Sequence, residues 1–244
     1  MQSKKAYSVL AKYYEYLTIC DYEKWSQYLY NQMTENKAGK CGIDVGCGSG
    51  YFTRSLKNYG YDVTGADISD EMLSVARQTA SSCGMNILFT NQDARYLKTL
   101  KVVDFVTAIN DLVNYLDATG VDKAFKNINK CLKKGGLFLF DISSEYKLKN
   151  IIGNNLFAED DDKLSYIWFN HLEENCVIMD LSIFIKDGET YIKREENHIE
   201  YIHTQNFIEQ MLIKNGFRLI KAESFLGGDI KEDTERIFFV CQKI

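Results

Sequence analysis

Short apolar runs alternate with amphipathic segments through the middle of the chain. The runs read CGIDVG, YDVTGAD, NILFTNQ, VVDFVTAI and GLFLFDI. In the intervening segment SDEMLSVARQTASSCG, Ser69 or Asp70 is placed to cap a helix and Gly84 to end it. Strands that alternate with helices predict βαβ units and a mostly parallel, doubly wound α/β sheet. In such a sheet, ligands bind at the carboxyl ends of the strands.

The hydrophobic pattern differs at the two ends of the chain. Residues 5–35 are rich in Tyr and Leu at helical spacing, which predicts two N-terminal helices. From about residue 150, alternating apolar positions and two turn signals, EEN and KDGE, predict a three-stranded antiparallel meander. The segment TQNFIEQMLIKNG, closed by Gly216, predicts a helix, and FRLIKAESF and ERIFFVCQ predict two last strands.

These elements predict four segments of the chain. Residues 1–38 form a helical cap, and residues 39–148 form a cofactor-binding core. Residues 149–202 form an antiparallel lid inserted after that core. Residues 203–244 supply a helix and a strand pair that complete the core sheet.

Composition and charge narrow the class of protein. The formal net charge of −5 argues against a nucleic-acid backbone as partner, because phosphate neutralisation requires a basic face. No window approaches the roughly 20 apolar residues of a membrane span, and the N-terminus has no signal-like apolar core, so we expect a cytoplasmic protein without a membrane partner. Seven scattered cysteines without a C-x-x-C pair, and three histidines, predict reduced thiols and no metal site.

Three glycines follow the first core strand at every second position, in CGIDVGCGSG. They are Gly46, Gly48 and Gly50, and Asp44 lies two residues ahead of the first. Glycine is favoured where a ligand approaches the backbone closely or where φ is positive. The next segment predicts a helix, whose N-terminus presents free amide groups. We predict a cofactor-binding turn, with a tight β-α turn that holds no ligand as the alternative.

A second carboxylate lies where a ribose would be held. Asp67 closes the next strand, 21 residues after Gly46, and a carboxylate there accepts hydrogen bonds from both ribose hydroxyls. NAD fits less well, because its G-x-G-x-x-G fingerprint places the third glycine one residue later than here. Asp44 would also face a pyrophosphate with like charge. A carboxylate at that position suits a cofactor with a positive group, such as an ammonium or a sulfonium.

Four motifs in order resemble the class I S-adenosylmethionine-dependent methyltransferases. They are IDVGCGSG, GADISDEML, NQDARYL and LKKGGLFLFD, the last with Lys134 where the family usually has a proline. The resemblance covers residues 40–145 and extends more loosely to both ends, where the chain is similar to small-molecule members. It implies a Rossmann-like, seven-stranded α/β sheet whose last strand is antiparallel, and S-adenosyl-L-methionine as cofactor.

The resemblance also implies roles for residues of these motifs. Asp44 and the backbone of residues 46–50 would hold the methionine end of the cofactor, and Asp67 would bind the ribose hydroxyls. The expected cofactor-binding residues are Asp44, Gly46, Cys47, Gly48, Gly50, Asp67, Ile68, Met72, Asp93, Ala94 and Asn110.

The adenine contacts carry alternatives. Ile68 and Met72 would pack on the adenine ring, with a core position in its helix as the alternative for Met72. Asp93 would accept a hydrogen bond from the adenine amino group, assisted by the amide of Ala94. The alternative for Asp93 is a cap at the end of a strand.

Three residues are candidates for catalysis. Asp111, with Asn110, follows the fourth strand in INDLVNYLD, at the carboxyl edge of the sheet, and should line the active site. His198, on the last strand of the meander, is the first choice for a general base, with a structural histidine as the alternative. Tyr14 matches a family tyrosine near the sulfonium, with core packing as the alternative.

The expected reaction is direct transfer of a methyl group to N or O of a small-molecule acceptor. An Asn/Asp-Pro-Pro-Tyr motif, typical of nucleic-acid amine methylation, does not occur, and neither does a Pro-Cys nucleophile. Two alternatives remain at this point. One is a tRNA or protein methyltransferase, and the other is a regulator that binds the cofactor without catalysis.

Overall fold

The computed structural model describes residues 6–7, 10–17, 21–162 and 164–244. The cap predicted at residues 1–38 therefore lies partly outside the described residues. The strands in the described part of the chain are β1 (Cys41–Val45), β2 (Asp62–Asp67), β3 (Phe89–Asn91), β4 (Val103–Ala108), β5 (Leu132–Ser143), β6 (Leu156–Asp160), β7 (Leu164–Leu172), β8 (Cys176–Asp187), β9 (Thr190–Tyr201), β10 (Phe217–Ser224) and β11 (Arg236–Lys243).

Seven of these strands form one sheet in the order β10-β11-β5-β4-β1-β2-β3. The pairs from β5 to β3 are all parallel, as βαβ crossovers require. Strand β11 runs antiparallel to both β5 and β10. The predicted doubly wound, Rossmann-like sheet of seven strands with an antiparallel last strand is confirmed.

Two helices begin or end at residues that the sequence pattern indicates. Ser69 caps α4 (Asp70–Ser82), because its Oγ accepts from the amide of Met72 at 3.2 Å, and Gly84 and Gly216 follow their helices at φ +69° and +76°. None of the described helices is long and apolar enough to cross a membrane. The helices are α1 (Tyr14–Leu17), α2 (Tyr22–Glu35), α3 (Tyr51–Asn58), α4 (Asp70–Ser82), α5 (Ala118–Cys131) and α6 (Gln205–Lys214), with a π-helical turn at Lys147–Ile152.

The sheet is covered on both faces, because successive side chains of a strand point to opposite sides. On β5, Leu137 and Leu139 pack in one hydrophobic cluster with side chains of α2 and α3. Phe138 and Phe140 pack in the other cluster with side chains of α5 and α6. Burial on both faces explains why the core strands are continuous apolar runs.

The lid has four strands where the sequence pattern predicted three. Strands β6, β7, β8 and β9 form one antiparallel sheet in chain order, and both predicted turns join its strands. The additional strand is β6, whose five residues are all exposed. An exposed edge strand has no alternation of buried and polar positions, so its sequence, LFAED, carries no period-2 signal.

The buried face of the lid packs on two other parts of the chain. Leu164, Leu181 and Ile183 form a cluster with Leu10 of the N-terminal segment. Val177 and Met179 form a second cluster with Leu148 of the π-helical turn. These contacts hold the lid beside the carboxyl edge of the main sheet, where a doubly wound sheet binds ligands.

Candidate functional site

The turn after β1 requires glycine at three positions. Gly46, Gly48 and Gly50 have φ values of +68°, +53° and +81°, in the left-handed region that other residues rarely adopt. A Cβ at Gly46 would lie 2.9 Å from the Leu112 side chain, so this glycine also allows close packing. A Cβ at Gly48 would meet only the end of Met72, at 3.7 Å. The backbone at Gly48 therefore borders open space.

Asp44 is a buried carboxylate beneath this turn. Its side chain is 1% exposed and accepts hydrogen bonds from the hydroxyls of Thr53, at 2.6 Å, and Thr107, at 2.9 Å. Burial raises the pKa of Asp44 to about 6, although the two hydroxyls oppose that shift. A cation bound beside Asp44 would stabilise its charged form.

Asp67 closes β2 and points back to the same turn. Its carboxylate accepts from the amide of Gly48, at 2.9 Å, and from the amide of Ser69, at 2.8 Å. Burial raises the pKa of Asp67, while these amides lower it. The side chain thus fixes the turn and retains acceptor capacity, since a carboxylate has about four acceptor positions.

A cavity of about 270 Å³ lies between the turn, the end of β2 and the end of β4. Its lining brings together eight of the eleven residues expected to bind the cofactor. They are Asp44, Gly46, Cys47, Gly48, Asp67, Ile68, Met72 and Asn110. The other three, Gly50, Asp93 and Ala94, are not in its lining.

The structure gives Gly50 and Asp93 other partners. Gly50 caps α3, and a Cβ there would lie 3.0 Å from the Cβ of Ala76. Asp93 forms a bidentate ion pair with Arg95 and accepts from its amide at 2.8 Å, so it caps the turn after β3. Burial alone would raise the pKa of Asp93, but Arg95 lowers it. The geometry thus favours the strand-end cap, and adenine contacts from Asp93 and the buried Ala94 stay predictions.

The segment after β4 has a strained backbone. Asn110 and Asp111 are consecutive non-glycine residues at φ +73° and +69°, and each such residue costs about 1–3 kcal/mol. The amide of Asn110 donates to Asp141 at 2.7 Å, and Asp111 accepts from Ser143. Strain of this kind persists only where the surroundings fix it, and it clusters at functional sites.

Arg236, which the sequence pattern did not indicate, fixes this segment. Its guanidinium donates twice to Asp111, at 2.7 Å each, contacts Asp141 and lies over the Trp25 ring at 4.9 Å. Burial alone would raise the pKa of Asp111, but the charge of Arg236 holds it at about 2. Asp111 therefore stays ionised and paired with Arg236. The geometry favours a positioning role for Asp111 over a role as base.

A second cavity of about 940 Å³ lies between this edge of the sheet and the lid. Four residues line both cavities: Tyr7, Tyr14, Asn110 and Tyr115. The side-chain amide of Asn110 donates to the hydroxyl of Tyr14 at 2.7 Å, and the hydroxyls of Tyr7 and Tyr115 are 2.7 Å apart. These four side chains form the junction between the two cavities. Tyr7 and Tyr115 were not among the predicted site residues.

His198 lies in the wall of the larger cavity and is 2% exposed. Its Nδ1 is 3.1 Å from the hydroxyl of Tyr115, and its Nε2 is 3.2 Å from the carboxylate of Glu196. Glu196 also accepts from the amides of Tyr7 and Leu10, each at 2.9 Å. Because both ring nitrogens are engaged, the geometry favours a positioning role through Tyr115, and the base role of His198 stays a prediction.

Comparisons with known proteins identify the family. A family model described as "Methyltransferase domain" matches residues 43–136. "Putative methyltransferase YqeM" of Bacillus subtilis (strain 168) is 34% identical over 236 residues, which cover 95% of this chain and 94% of that protein. The chain belongs to the class I S-adenosylmethionine-dependent methyltransferases. It is therefore an enzyme of the methyltransferase class, and S-adenosylmethionine is its cofactor.

Two further matches agree with this family. The crystal structure of an S-adenosylmethionine-dependent methyltransferase from Clostridium acetobutylicum ATCC 824 has a TM-score of 0.89 and 33% identity, covering 96% of this chain and 97% of that one. A ubiquinone biosynthesis O-methyltransferase of Coxiella burnetii (strain RSA 493 / Nine Mile phase I) is 33% identical over 131 residues, which cover 52% of this methyltransferase and 54% of that protein.

The residues around the smaller cavity fit this cofactor. The backbone at Gly48 borders open space, and the carboxylate of Asp67 at the end of β2 retains acceptor capacity for a ribose. The buried Asp44 offers a negative charge to a cationic group. In this methyltransferase, the smaller cavity is thus chemically suited to a positively charged nucleoside.

Proposed function

We propose that this methyltransferase moves the methyl group of S-adenosylmethionine to an N or O atom of a small-molecule acceptor by in-line direct transfer. The observation that carries the proposal is the meeting of two cavities at one junction of four side chains: Tyr7, Tyr14, Asn110 and Tyr115. The smaller cavity takes the cofactor and the larger one takes the acceptor. The reacting atoms then meet at the junction.

The chain's own residues hold the two reactants in place. Asp44 balances the positive end of the cofactor, Asp67 holds the ribose hydroxyls, and Met72 packs on the adenine. When bound, S-adenosylmethionine supplies a methyl group that is already strongly electrophilic. The protein therefore contributes mainly alignment, which is worth up to about 7–11 kcal/mol of the barrier.

Two properties of the larger cavity support a small acceptor. The lid covers the cavity with side chains such as Tyr166 and Trp168, and a cavity of about 940 Å³ is within the range of small-molecule sites. The net charge of −5 disfavours a nucleic-acid backbone. The relative from Coxiella burnetii, matched over half of its length, is named for ubiquinone biosynthesis, which also supports a small-molecule acceptor.

The surroundings of Cys47 support a single transfer without a protein intermediate. Two successive transfers through a cysteine would need a reactive thiolate, and Cys47 is the one described cysteine in the lining of either cavity. Burial raises the pKa of its thiol well above the ordinary value, so the nucleophilic thiolate is scarce. A cofactor with a chiral methyl group tests this step. Inversion at the methyl carbon is expected, and retention would contradict direct transfer.

Labelling tests the acceptor class. The enzyme is incubated with methyl-tritiated cofactor and a total extract of the cells that produce it, and the products are separated by size. Label is expected in the small-molecule fraction, and heat-inactivated enzyme is the control. Label confined to RNA or protein would contradict the proposal.

Cofactor affinity is expected to fall as the pH drops through about 6. Only the ionised carboxylate of Asp44 attracts the positive end of the cofactor. In the protein without cofactor, the pKa of Asp44 is about 6. Cofactor binding therefore releases a proton near this pH. Affinity should fall by up to about tenfold for each pH unit below 6.

Calorimetry from pH 5 to pH 8 measures this dependence, with Asp44→Asn as the matched variant. The variant should bind the cofactor more weakly and with a flatter pH profile. Asp67, whose pKa burial also raises, is intact in the variant, so the comparison isolates Asp44. Equal pH profiles for the two proteins would remove Asp44 from the cofactor site.

A further inference from the structure

Glu200 is a buried carboxylate in the wall of the acceptor cavity, and none of the described residues is its hydrogen-bond or ion-pair partner. It lies on β9, on the same face as His198, and is 8% exposed. Its Oε2 has no hydrogen-bond partner among the described residues. No ion pair within 4.0 Å joins Glu200 to a described Lys, Arg or His. A buried carboxylate without such partners is costly, so it indicates a site that a ligand completes.

The charges that face Glu200 leave it uncompensated. The charged side chains that act on Glu200 are Asp111, Lys147 and Arg236. Arg236 in turn forms ion pairs with both Asp111 and Asp141, so Asp141 belongs to the same group of charges. Two cations and two carboxylates balance each other in this group. An ionised Glu200 therefore adds negative charge to a cavity wall whose remaining charged side chains are also net negative, and a positive charge on the acceptor would offset it. Those remaining side chains are Asp229, Lys231, Asp233 and Glu235.

Other groups in the same wall suit a cation with polar substituents. The Nε1 of Trp168 and the Oδ1 of Asn170 are buried without hydrogen-bond partners among the described residues, and both residues line the cavity. Tyr166 and Trp168 also present aromatic rings to the cavity. The faces of aromatic rings attract ammonium groups, most strongly in desolvated sites.

We propose that the acceptor is an amine, which the carboxylate of Glu200 binds as an ammonium group and deprotonates before methyl transfer. This inference rests on the proposed function and selects N over O as the acceptor atom. Glu200 binds the acceptor and accepts its proton, and the residues at the cavity junction align it.

The step balances without a further reactant. The ammonium group gives one proton to the carboxylate, which leaves a neutral amine and a protonated Glu200. The nitrogen lone pair then forms the N–C bond as the S–C bond of the sulfonium breaks, and the product leaves as an N-methylammonium. Glu200 returns its proton to solvent. Burial raises the pKa of Glu200 to about 8, so the ammonium group of the acceptor is what favours the ionised carboxylate in the complex. This pKa is closer to that of an alkylammonium than the pKa of an ordinary carboxyl group is, which eases the proton transfer.

Selective blocking of amines tests the acceptor atom. A small-molecule extract is divided, and one half is N-acetylated with sulfosuccinimidyl acetate and then treated with hydroxylamine to restore hydroxyl groups. Label from tritiated cofactor is expected in the untreated half and absent from the acetylated half. A mixture of the two halves is the control. Its small molecules should take up as much label as those of the untreated half it contains, which would show that the acetylation leaves no inhibitor of the enzyme.

The outcomes separate the two proposals. Label that survives acetylation would overturn the amine inference and leave a small-molecule methyltransferase. An untreated half that takes no label would overturn the proposed function and, with it, the amine inference. The labelled product is then isolated and fragmented in a mass spectrometer, and the methyl group is expected on nitrogen.

Glu200→Gln tests the residue through binding. The acceptor purified from the labelling experiment is titrated into enzyme saturated with S-adenosylhomocysteine, so that no transfer occurs. The variant should bind the acceptor about 10- to 100-fold more weakly, because a hydrogen bond to a charged group is lost. Its affinity for the cofactor should not change.

Glu195→Gln is the matched control. Glu195 lies on the same strand with its side chain on the exposed face, where it pairs with Lys193 at 2.8 Å. This variant should bind the acceptor as the wild type does. Equal acceptor affinity in Glu200→Gln and Glu195→Gln would overturn the assignment of Glu200.

Discussion

Replacement of Asp67 by Ala is expected to lower the affinity for S-adenosylmethionine by about 100-fold or more. A carboxylate that accepts from both ribose hydroxyls makes two charge-assisted hydrogen bonds, each worth about 1.5–3 kcal/mol. Their loss corresponds to about 3 kcal/mol or more, and each 1.4 kcal/mol is about tenfold in affinity. Isothermal titration calorimetry at pH 7.5 measures the change.

Two further variants separate binding from folding. Asp67 also accepts from the amides of Gly48 and Ser69, so its removal loosens the turn as well. Asp67→Asn keeps one acceptor oxygen, so its thermal stability should be closer to that of the wild type than the stability of Asp67→Ala is. Its affinity for the cofactor should nevertheless be lower than that of the wild type. Asp62→Asn, at the opposite end of β2 with its carboxylate near Lys57, should bind normally. Unchanged cofactor affinity in Asp67→Ala would contradict the assignment of the ribose site.

The cofactor half of the site could be predicted from the sequence because its parts are local. Each element is one strand end with the turn that follows it, and parallel strands bring those ends to one edge of the sheet. The left-handed turn at Gly46, Gly48 and Gly50 and the carboxylate of Asp67 therefore follow from short motifs. Asp93 pairs with Arg95, two residues away, which favours the strand-end cap, and its contact with the adenine stays a prediction.

The acceptor half depends on contacts between distant parts of the chain. Arg236 pairs with Asp111, 125 residues away in sequence, and Glu200 becomes buried only because the lid folds over the sheet edge. On β9, acidic residues fall on both faces, Glu195 on one and Glu196 and Glu200 on the other, so the sequence alone does not indicate which face is buried. Neither residue belongs to a local motif, so the structure was needed to identify them.

The second large effect is expected from Arg236→Met. This variant should lower the free energy of unfolding by about 3–5 kcal/mol, because removal of one partner leaves a buried charge without compensation. Two carboxylates, Asp111 and Asp141, lose their guanidinium. The strained backbone at Asn110 also loses support, so catalysis should fall even where the variant is fully folded. Denaturation in urea at pH 7 measures the stability.

The pH dependence of this loss has a definite sign. In the wild type, Arg236 holds the pKa of Asp111 at about 2, so this stabilisation is fully present above about pH 4 and disappears as the pH falls toward 2. Without Arg236, burial, which raises the pKa of Asp111, is opposed mainly by the charge of Lys147, and we expect this pKa to rise above its unfolded value. The variant then loses stability as the pH rises from about 4 toward 7, the opposite slope.

A matched arginine and a rescue complete the experiment. Arg218→Met removes an exposed guanidinium from β10, where it donates to Gln242 at 2.6 Å, and should change stability by less than about 0.5 kcal/mol. Replacement of Asp111 and Asp141 by Asn in the Arg236→Met background should recover stability, since the buried charges are gone. If Arg236→Met unfolds at the same urea concentration as Arg218→Met, the guanidinium does not hold the segment that carries Asn110 at the cavity junction.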